Sequence, residues 1–211
     1  LPHTVVTDSA KEPTCSAIGL TEGKHCSVCQ EILVSQNYIP QHNFIDEKCS
    51  ICNMTQPTAD ELFSFVLLGD GTYGISANTD ATLPDVVYIP DTYNGKPVTQ
   101  ILESAFYRCE FKSVYIPESI TVIGDDAFHA CSKLENISLP SQVTEIGDSV
   151  FCLCKSLKNF DISESIVNIG NYAFAYCRAV ESIVIPAGVK YIREHAFEHC
   201  TSLKSVTFMS N

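Results

Sequence analysis

The sequence predicts an α+β solenoid over residues 83–211, capped by a β-hairpin at residues 58–82 and preceded by a small cysteine-rich module at residues 1–57. Three observations carry this reading. A phenylalanine followed three residues later by a cysteine returns every 22 or 23 residues. Alternating apolar and polar positions run into a recurrent proline. Two Cys-x-x-Cys pairs are confined to the first 52 residues.

Composition narrows the function classes. A chain of 211 residues has room for one large domain, or a medium and a small one. Its net charge of −12 argues against nucleic acid, whose phosphates call for Lys and Arg, and against anionic membrane surfaces. No apolar run approaches the ~20 residues that span a bilayer, so membrane insertion is not expected. The opening "LPHTVV" has neither the basic nor the apolar region of a signal peptide. The expectation is a fragment of something longer, with any signal peptide outside it.

In the first module, "HCSVC" and "KCSIC" place Cys26, Cys29, Cys49 and Cys52 as two pairs nineteen residues apart. Two such knuckles can aim four thiolates at one tetrahedral centre, which reads as a zinc-ribbon-like site. His42 or His25 could replace one of the cysteines, and disulfides or unmetallated thiols are the rival readings. A redox Cys-x-x-Cys would want a βαβ context, and none is visible. Cys15 has no obvious partner. Zinc with four protein ligands would be structural, supplying folding free energy to a module too small to fold unaided.

Next, "ELFSFVLLGDGTYGISAN" alternates around Gly69-Asp70-Gly71, the pattern of a hairpin able to cover the first coil's apolar end. From residue 83 the repeat takes over. Phe106, Phe128, Phe151, Phe174 and Phe197 are separated by 22, 23, 23 and 23 residues, and the Pro117/Pro140/Ser163/Pro186 column keeps the same step of 23. A unit this short cannot support itself and must hide its apolar side against its neighbours, as a solenoid coil does. Leu134, Ile137 and Leu139 before Pro140 predict one short strand, and Val143 and Ile146 before Gly147 another. Val150, Phe151 and Cys154 predict a short helical or 3₁₀ turn.

Stacked coils bring equivalent residues to roughly the 4.8 Å strand spacing. Cys109, Cys131, Cys154, Cys177 and Cys200 are therefore expected as one column of reduced, structural thiols, each a small hydrophobe with a weak donor for a backbone carbonyl. His129 and Cys152 follow the repeat phenylalanine on adjacent coils. A hydrolase would also need an orienting third group, an oxyanion site and a pocket, so they read as surface variation. His195 and His199 could chelate a metal but are expected to be solvated turn residues.

On the outer side, Asp85, Lys112, Glu135, Lys158, Glu181 and Lys204 alternate in sign from coil to coil, which favours correct pairing of neighbours. A polar column of Ser113, Asn136, Asn159, Ser182 and Ser205 runs beside them. Aromatic candidates for contact are Tyr88 and Tyr115, equivalent on successive coils, with Tyr107, Tyr176 and Tyr191. The candidate ligand set is Tyr88, Tyr115, Asp161, Lys112 and Lys158. The strand "VTFMSN" has no polar cap, so either the chain continues or this end self-associates.

The segment "VVYIPDTYNGKPVTQI" and the Ala-Phe-x-x-Cys-x-x-Leu-x-x-Ile-x-Ile-Pro units after it resemble the BspA-type (Treponema-like) leucine-rich repeats over residues 83 to 208. The Cys-x-x-Cys segment from Pro13 to Cys52 is similar to units that precede such repeats in surface proteins of gut-dwelling Gram-positive bacteria. Val150, Ser163 and Arg193 depart from the repeat's alanine, proline and glycine columns. The resemblance implies a right-handed leucine-rich repeat and a secreted or cell wall-associated protein that binds an extracellular protein or glycan. It transfers no catalytic residues, and the sequence contains no phosphate loop or nucleophile motif, so no enzyme is expected. The alternative is a spacer that holds another domain away from the cell wall.

Overall fold

The computed structural model describes residues 59–209 and, before them, the backbone of the strands at 5–8, 19–20, 23–26, 32–34, 38–39, 44–45 and 48–49. Side chains are described from Glu61 onward except those of Asn159 and Asp161. The chain divides into two units, Leu1–Pro57 and Thr58–Asn211. In the first, Gly23–Cys26 pairs antiparallel with Val5–Asp8 and with Ile32–Val34. Gly19–Leu20 pairs with Tyr38–Ile39, and Phe44–Ile45 with Lys48–Cys49, all antiparallel.

The second unit starts with one helical turn, Ala59–Leu62, followed by the hairpin of Phe63–Leu67 and Tyr73–Ala77. Gly71, at φ +86°, takes the left-handed position in the turn. Beside it the Asp70 carboxylate accepts hydrogen bonds from the Thr72 N–H (2.9 Å) and hydroxyl (2.7 Å), which hold its carboxyl below the usual range. Tyr73–Ala77 then pairs in parallel with Lys96–Ile101 of the first coil. The hairpin therefore extends the solenoid's ladder.

Each coil has three sides. Short parallel strands at Val86–Tyr88, Ser113–Tyr115, Asn136–Ser138 and Asn159–Asp161 form one side. Ser182–Ile185 and Ser205–Phe208 continue the series as a second parallel pair. A second side holds Lys96–Ile101 with Val122–Ile123, then Glu145–Ile146, Asn168–Ile169 and Tyr191–Ile192. The result is a right-handed β-solenoid of about six turns with roughly 23 residues per turn.

The third side corrects the sequence expectation. No helix or 3₁₀ turn forms at Phe-x-x-Cys, and α+β is the wrong label. The segment is a run of tight turns in which two non-glycine residues per coil are left-handed: Asp126 and Ala130 at φ 55° and 60°, Ser149 and Leu153 at 54° and 63°, Tyr172 and Tyr176 at 54° and 62°. The reason lies in where the N–H groups go. His129 and Cys131 donate within their own turn, to Asp126 and Phe128, whereas Asp126, Phe128 and Ala130 donate to Asp148, Val150 and Cys152 of the next coil. A helix would use every N–H internally and leave the neighbouring coil's carbonyls without donors. Left-handed residues at regular intervals turn alternate N–H groups outward, which stitches coil to coil.

The core is a set of columns. The rings of Phe106, Phe128, Phe151, Phe174 and Phe197 stack with centroids 5.3, 5.7, 5.4 and 5.4 Å apart. Ile101, Ile123, Ile146 and Ile169 line the second sheet's inner face, and Val114, Ile137, Phe160 and Ile183 the first sheet's, all buried. Each large side chain packs against its own equivalent one coil away, so the apolar spine is continuous.

Candidate functional site

Of the five candidate contact residues, Tyr88, Tyr115 and Asp161 lie in strands of one sheet. Tyr88 is in register with Tyr115, and Asp161 stands opposite Ser138 on the next strand. The two tyrosine rings stack with centroids 5.0 Å apart and planes 13° from parallel. Lys112 and Lys158 sit one residue before their strands, at the other strand end from Tyr115 and Asp161, and both are committed. Lys112 Nζ lies 2.7 Å from Asp85 Oδ2, and Lys158 Nζ lies 3.4 Å from Glu135 Oε2. Lys204 repeats the arrangement with Glu181 at 2.8 Å. Hydrogen bonding to Asp85 raises the Lys112 ammonium pKa, and Lys204 lowers that of Glu181. The alternating charges thus resolve into pairs, two coils at a time. These groups are exposed, so the pairs favour register more than stability.

The cysteine column lies behind the turns. Cys131 donates its S–H to the Phe106 carbonyl at 3.0 Å, Cys154 to Phe128 at 3.2 Å, Cys177 to Phe151 at 3.1 Å and Cys200 to Phe174 at 3.2 Å. All six described cysteines are free. Burial pushes the Cys109 thiol up to about 11 and those of Cys131, Cys154 and Cys177 higher still. Thiols held neutral in this way are poor nucleophiles.

Around His129 the structure adds what the sequence reading missed. Its Nδ1 lies 2.6 Å from Asp126 Oδ1, so the imidazole has an orienting carboxylate. The i, i+3 spacing of Asp126 and His129 was the available signal. Cys152 is only 8% exposed, so it is buried and not a surface variation. Burial first, then the carboxylates of Asp126 and Glu198, push its thiol up. That is the opposite of what a Cys/His nucleophile requires.

Each described histidine stacks on or tilts against a tyrosine of the preceding coil. His195 lies 4.8 Å from Tyr172 and His199 lies 4.6 Å from Tyr176, while Tyr107 and His129 are 5.3 Å apart. Glu198 bridges the last two histidines, 3.3 Å from His195 Nδ1 and 3.4 Å from His199 Nε2. Among the described residues no group of three or more His, Cys, Asp or Glu is arranged to hold a metal ion. Of the predicted zinc ligands, Cys29, Cys52 and His42 lie outside the described residues, as do the side chains of Cys26, His25 and Cys49. The backbone shows Cys26 closing the strand Gly23–Cys26 and Cys49 closing Lys48–Cys49, so each Cys-x-x-Cys pair begins at a strand end.

A scan against protein families matches the BspA type leucine rich repeat region, in six copies, over residues 99–211. The chain belongs to that family. Among solved structures, a leucine-rich repeat protein of T. pallidum is similar at 32% identity and a TM-score of 0.65, over 71% of this chain and 70% of its own. A leucine-rich repeat protein of Bacteroides ovatus is 34% identical, with a TM-score of 0.62, over 69% of this chain and 39% of its own. A leucine rich cell surface protein of Faecalibacterium prausnitzii is 32% identical, with a TM-score of 0.61, over 79% of this chain and 40% of its own. The chain thus spans about two fifths of the length of the latter two. A comparison with curated proteins finds no match. The match to BspA-type repeats points to a binding scaffold and to no enzyme family. Among the described residues no helix is long and apolar enough to cross a membrane.

Proposed function

We propose that this chain is a non-enzymatic module of a secreted or wall-associated protein, binding an extracellular protein or glycan through the strand face that carries Tyr88, Tyr115, Asp161, Lys112 and Lys158. The observation that carries the reading is the Tyr88–Tyr115 stack in register on that sheet. Aromatic side chains supply contact area at low entropic cost. The similarity to a cell surface protein of F. prausnitzii supports the location. Binding of the full chain to arrays of extracellular-matrix proteins and of glycans tests it, alongside a Tyr88→Ala/Tyr115→Ala variant. Loss of the bound signal in a variant with an unchanged circular dichroism spectrum supports this face. Undiminished binding by the variant removes it.

One observation favours the spacer reading. The cations Lys112, Lys158 and Lys204 are already paired with Asp85, Glu135 and Glu181, which suits a self-contained spacer. A chain that binds nothing on either array returns the function to that alternative.

For the first unit, Cys26, Cys29, Cys49 and Cys52, with His42 or His25 as substitutes, are proposed to hold a structural zinc ion. The placement of Cys26 and Cys49 at strand ends supports a pair of knuckles. Metal analysis of the purified chain and of Cys49→Ser decides it: about one zinc per chain, lost in the variant, is the expected result. A metal-free chain whose first-unit cysteines resist alkylation until reduced would establish disulfides instead.

A further inference from the structure

The chain holds a single Asn-Gly pair, Asn94-Gly95. It closes a two-residue hairpin in which Thr92 faces Pro97 and Tyr93 faces Lys96. Asn94 at φ +49° and Gly95 at φ +72° make this a type I′ turn. Tyr88 and Tyr115 are 27 residues apart, whereas Ser138 and Asp161 are 23 apart; the difference of four is taken up by this loop. The loop seats Tyr93 on the capping hairpin. Its ring lies 3.7 Å from that of Phe65, with planes 3° apart, and meets Tyr73 edge-on at 5.1 Å.

We propose that Asn94 is a site of spontaneous deamidation, and that the isoaspartate formed there loosens the clasp between the first coil and the hairpin. The Gly95 amide nitrogen gives up its proton to solvent base and attacks Asn94 Cγ. The new N–C bond closes a succinimide as the Cγ–Nδ2 bond breaks, and the side-chain nitrogen leaves as ammonia. Water then opens either ring carbonyl, giving aspartate from one and isoaspartate from the other. No oxidant or cofactor takes part.

Three features of the site permit the reaction. Gly95 has no side chain to hinder its nitrogen, and a Cβ placed there would meet nothing within 4 Å. Asn94 is exposed, and its carboxamide has no hydrogen-bond partner among the described residues. Bringing the nitrogen over Cγ requires rotation of the Asn94–Gly95 peptide plane, which carries a type I′ turn toward type II′. Both types close a two-residue hairpin, so the flanking pairs survive the motion. Other asparagines are held differently. Asn171 donates its carboxamide to both oxygens of Asp148 at 3.1 and 3.0 Å, and its neighbour is Tyr172. Asn136 and Asn168 lie in strands ahead of β-branched isoleucines.

Isoaspartate adds one methylene to the main chain. In a hairpin whose register is fixed by its turn, one extra main-chain atom offsets every pairing beyond it. Tyr93 would lose its seat on Phe65, and the strand Phe63–Leu67 its cover.

The test is incubation of the full chain in mildly alkaline buffer. Peptide mapping and isoaspartyl methyltransferase labelling follow the products, and hydrogen exchange follows Phe63–Leu67. The proposal predicts that Asn94 converts before any other asparagine and that exchange in Phe63–Leu67 rises in the converted fraction. Asn94→Gly, which keeps a turn-compatible residue and cannot deamidate, should keep its exchange rates on incubation. Intact Asn94 in the folded chain, while a urea-unfolded control converts, overturns the site. Conversion with unchanged exchange overturns the clasp.

Discussion

The carbonyls of Phe106, Phe128, Phe151 and Phe174 each accept two hydrogen bonds. Phe128 receives the N–H of Cys131 in its own coil at 3.2 Å and the S–H of Cys154 in the next at 3.2 Å. The cysteine thus links two coils while filling a corner too narrow for a larger side chain. Cys154→Ala removes the donor and leaves a small void, and it should cost about 1–2 kcal/mol in a denaturant titration. The buried thiols also set a pH dependence. Their folded pKa values are raised above the ordinary value. Stability is therefore full below the unfolded thiol pKa of about 8.5 and falls as pH rises beyond it, because unfolded thiols release protons that folded ones keep. The expected slope is at most about 1.4 kcal/mol per pH unit for each buried thiol. Denaturation midpoints measured from neutral to alkaline pH should fall, and Cys154→Ala should fall less steeply. A midpoint that rises over that range contradicts the assignment.

At the scale of the element, the turns after each glycine separate this fold from a helical one. Ala130 stands at φ 60°, where a side chain is strained and glycine is not. Ala130→Gly should be neutral or stabilise by up to about 1 kcal/mol; in a helix the same change would cost about 1 kcal/mol. Thermal melts of the two proteins distinguish the cases. Gly170 serves close approach. A Cβ there would lie 2.5 Å from the Gly147 carbonyl carbon, a main-chain atom that cannot step aside, so Gly170→Ala should cost about 1–3 kcal/mol or more. The strands were legible in the sequence because their inner residues, such as Ile137 and Ile146, recur at a fixed step. The turns were not. Phe-x-x-Cys spacing is common to a helical turn and to tandem tight turns, and what decides between them is the neighbouring coil's demand for N–H donors. No local window contains that demand.

Across the whole molecule, apolar columns run the length of the repeats and polar columns cover them. The phenylalanine and cysteine columns could be read from a period alone, since a solenoid turns sequence repetition into spatial adjacency. The Asp126–His129 contact lies within one turn and was signalled only by its i, i+3 spacing, whereas the burial of Cys152 leaves no mark in the local sequence. Pairing of Asp85 with Lys112, Glu135 with Lys158 and Glu181 with Lys204 leaves the strand face without concentrated charge. Recognition there should accordingly depend little on salt, and a binding signal on the arrays should survive a rise in ionic strength. The spine itself is tested most directly by mapping which cysteines react with iodoacetamide in the native chain and after unfolding, with no reductant present. Cys131, Cys154 and Cys177 should stay unmodified in the native protein and react fully once it is unfolded. Ready modification under native conditions, or resistance after unfolding that only a reductant relieves, would contradict a closed spine of free thiols.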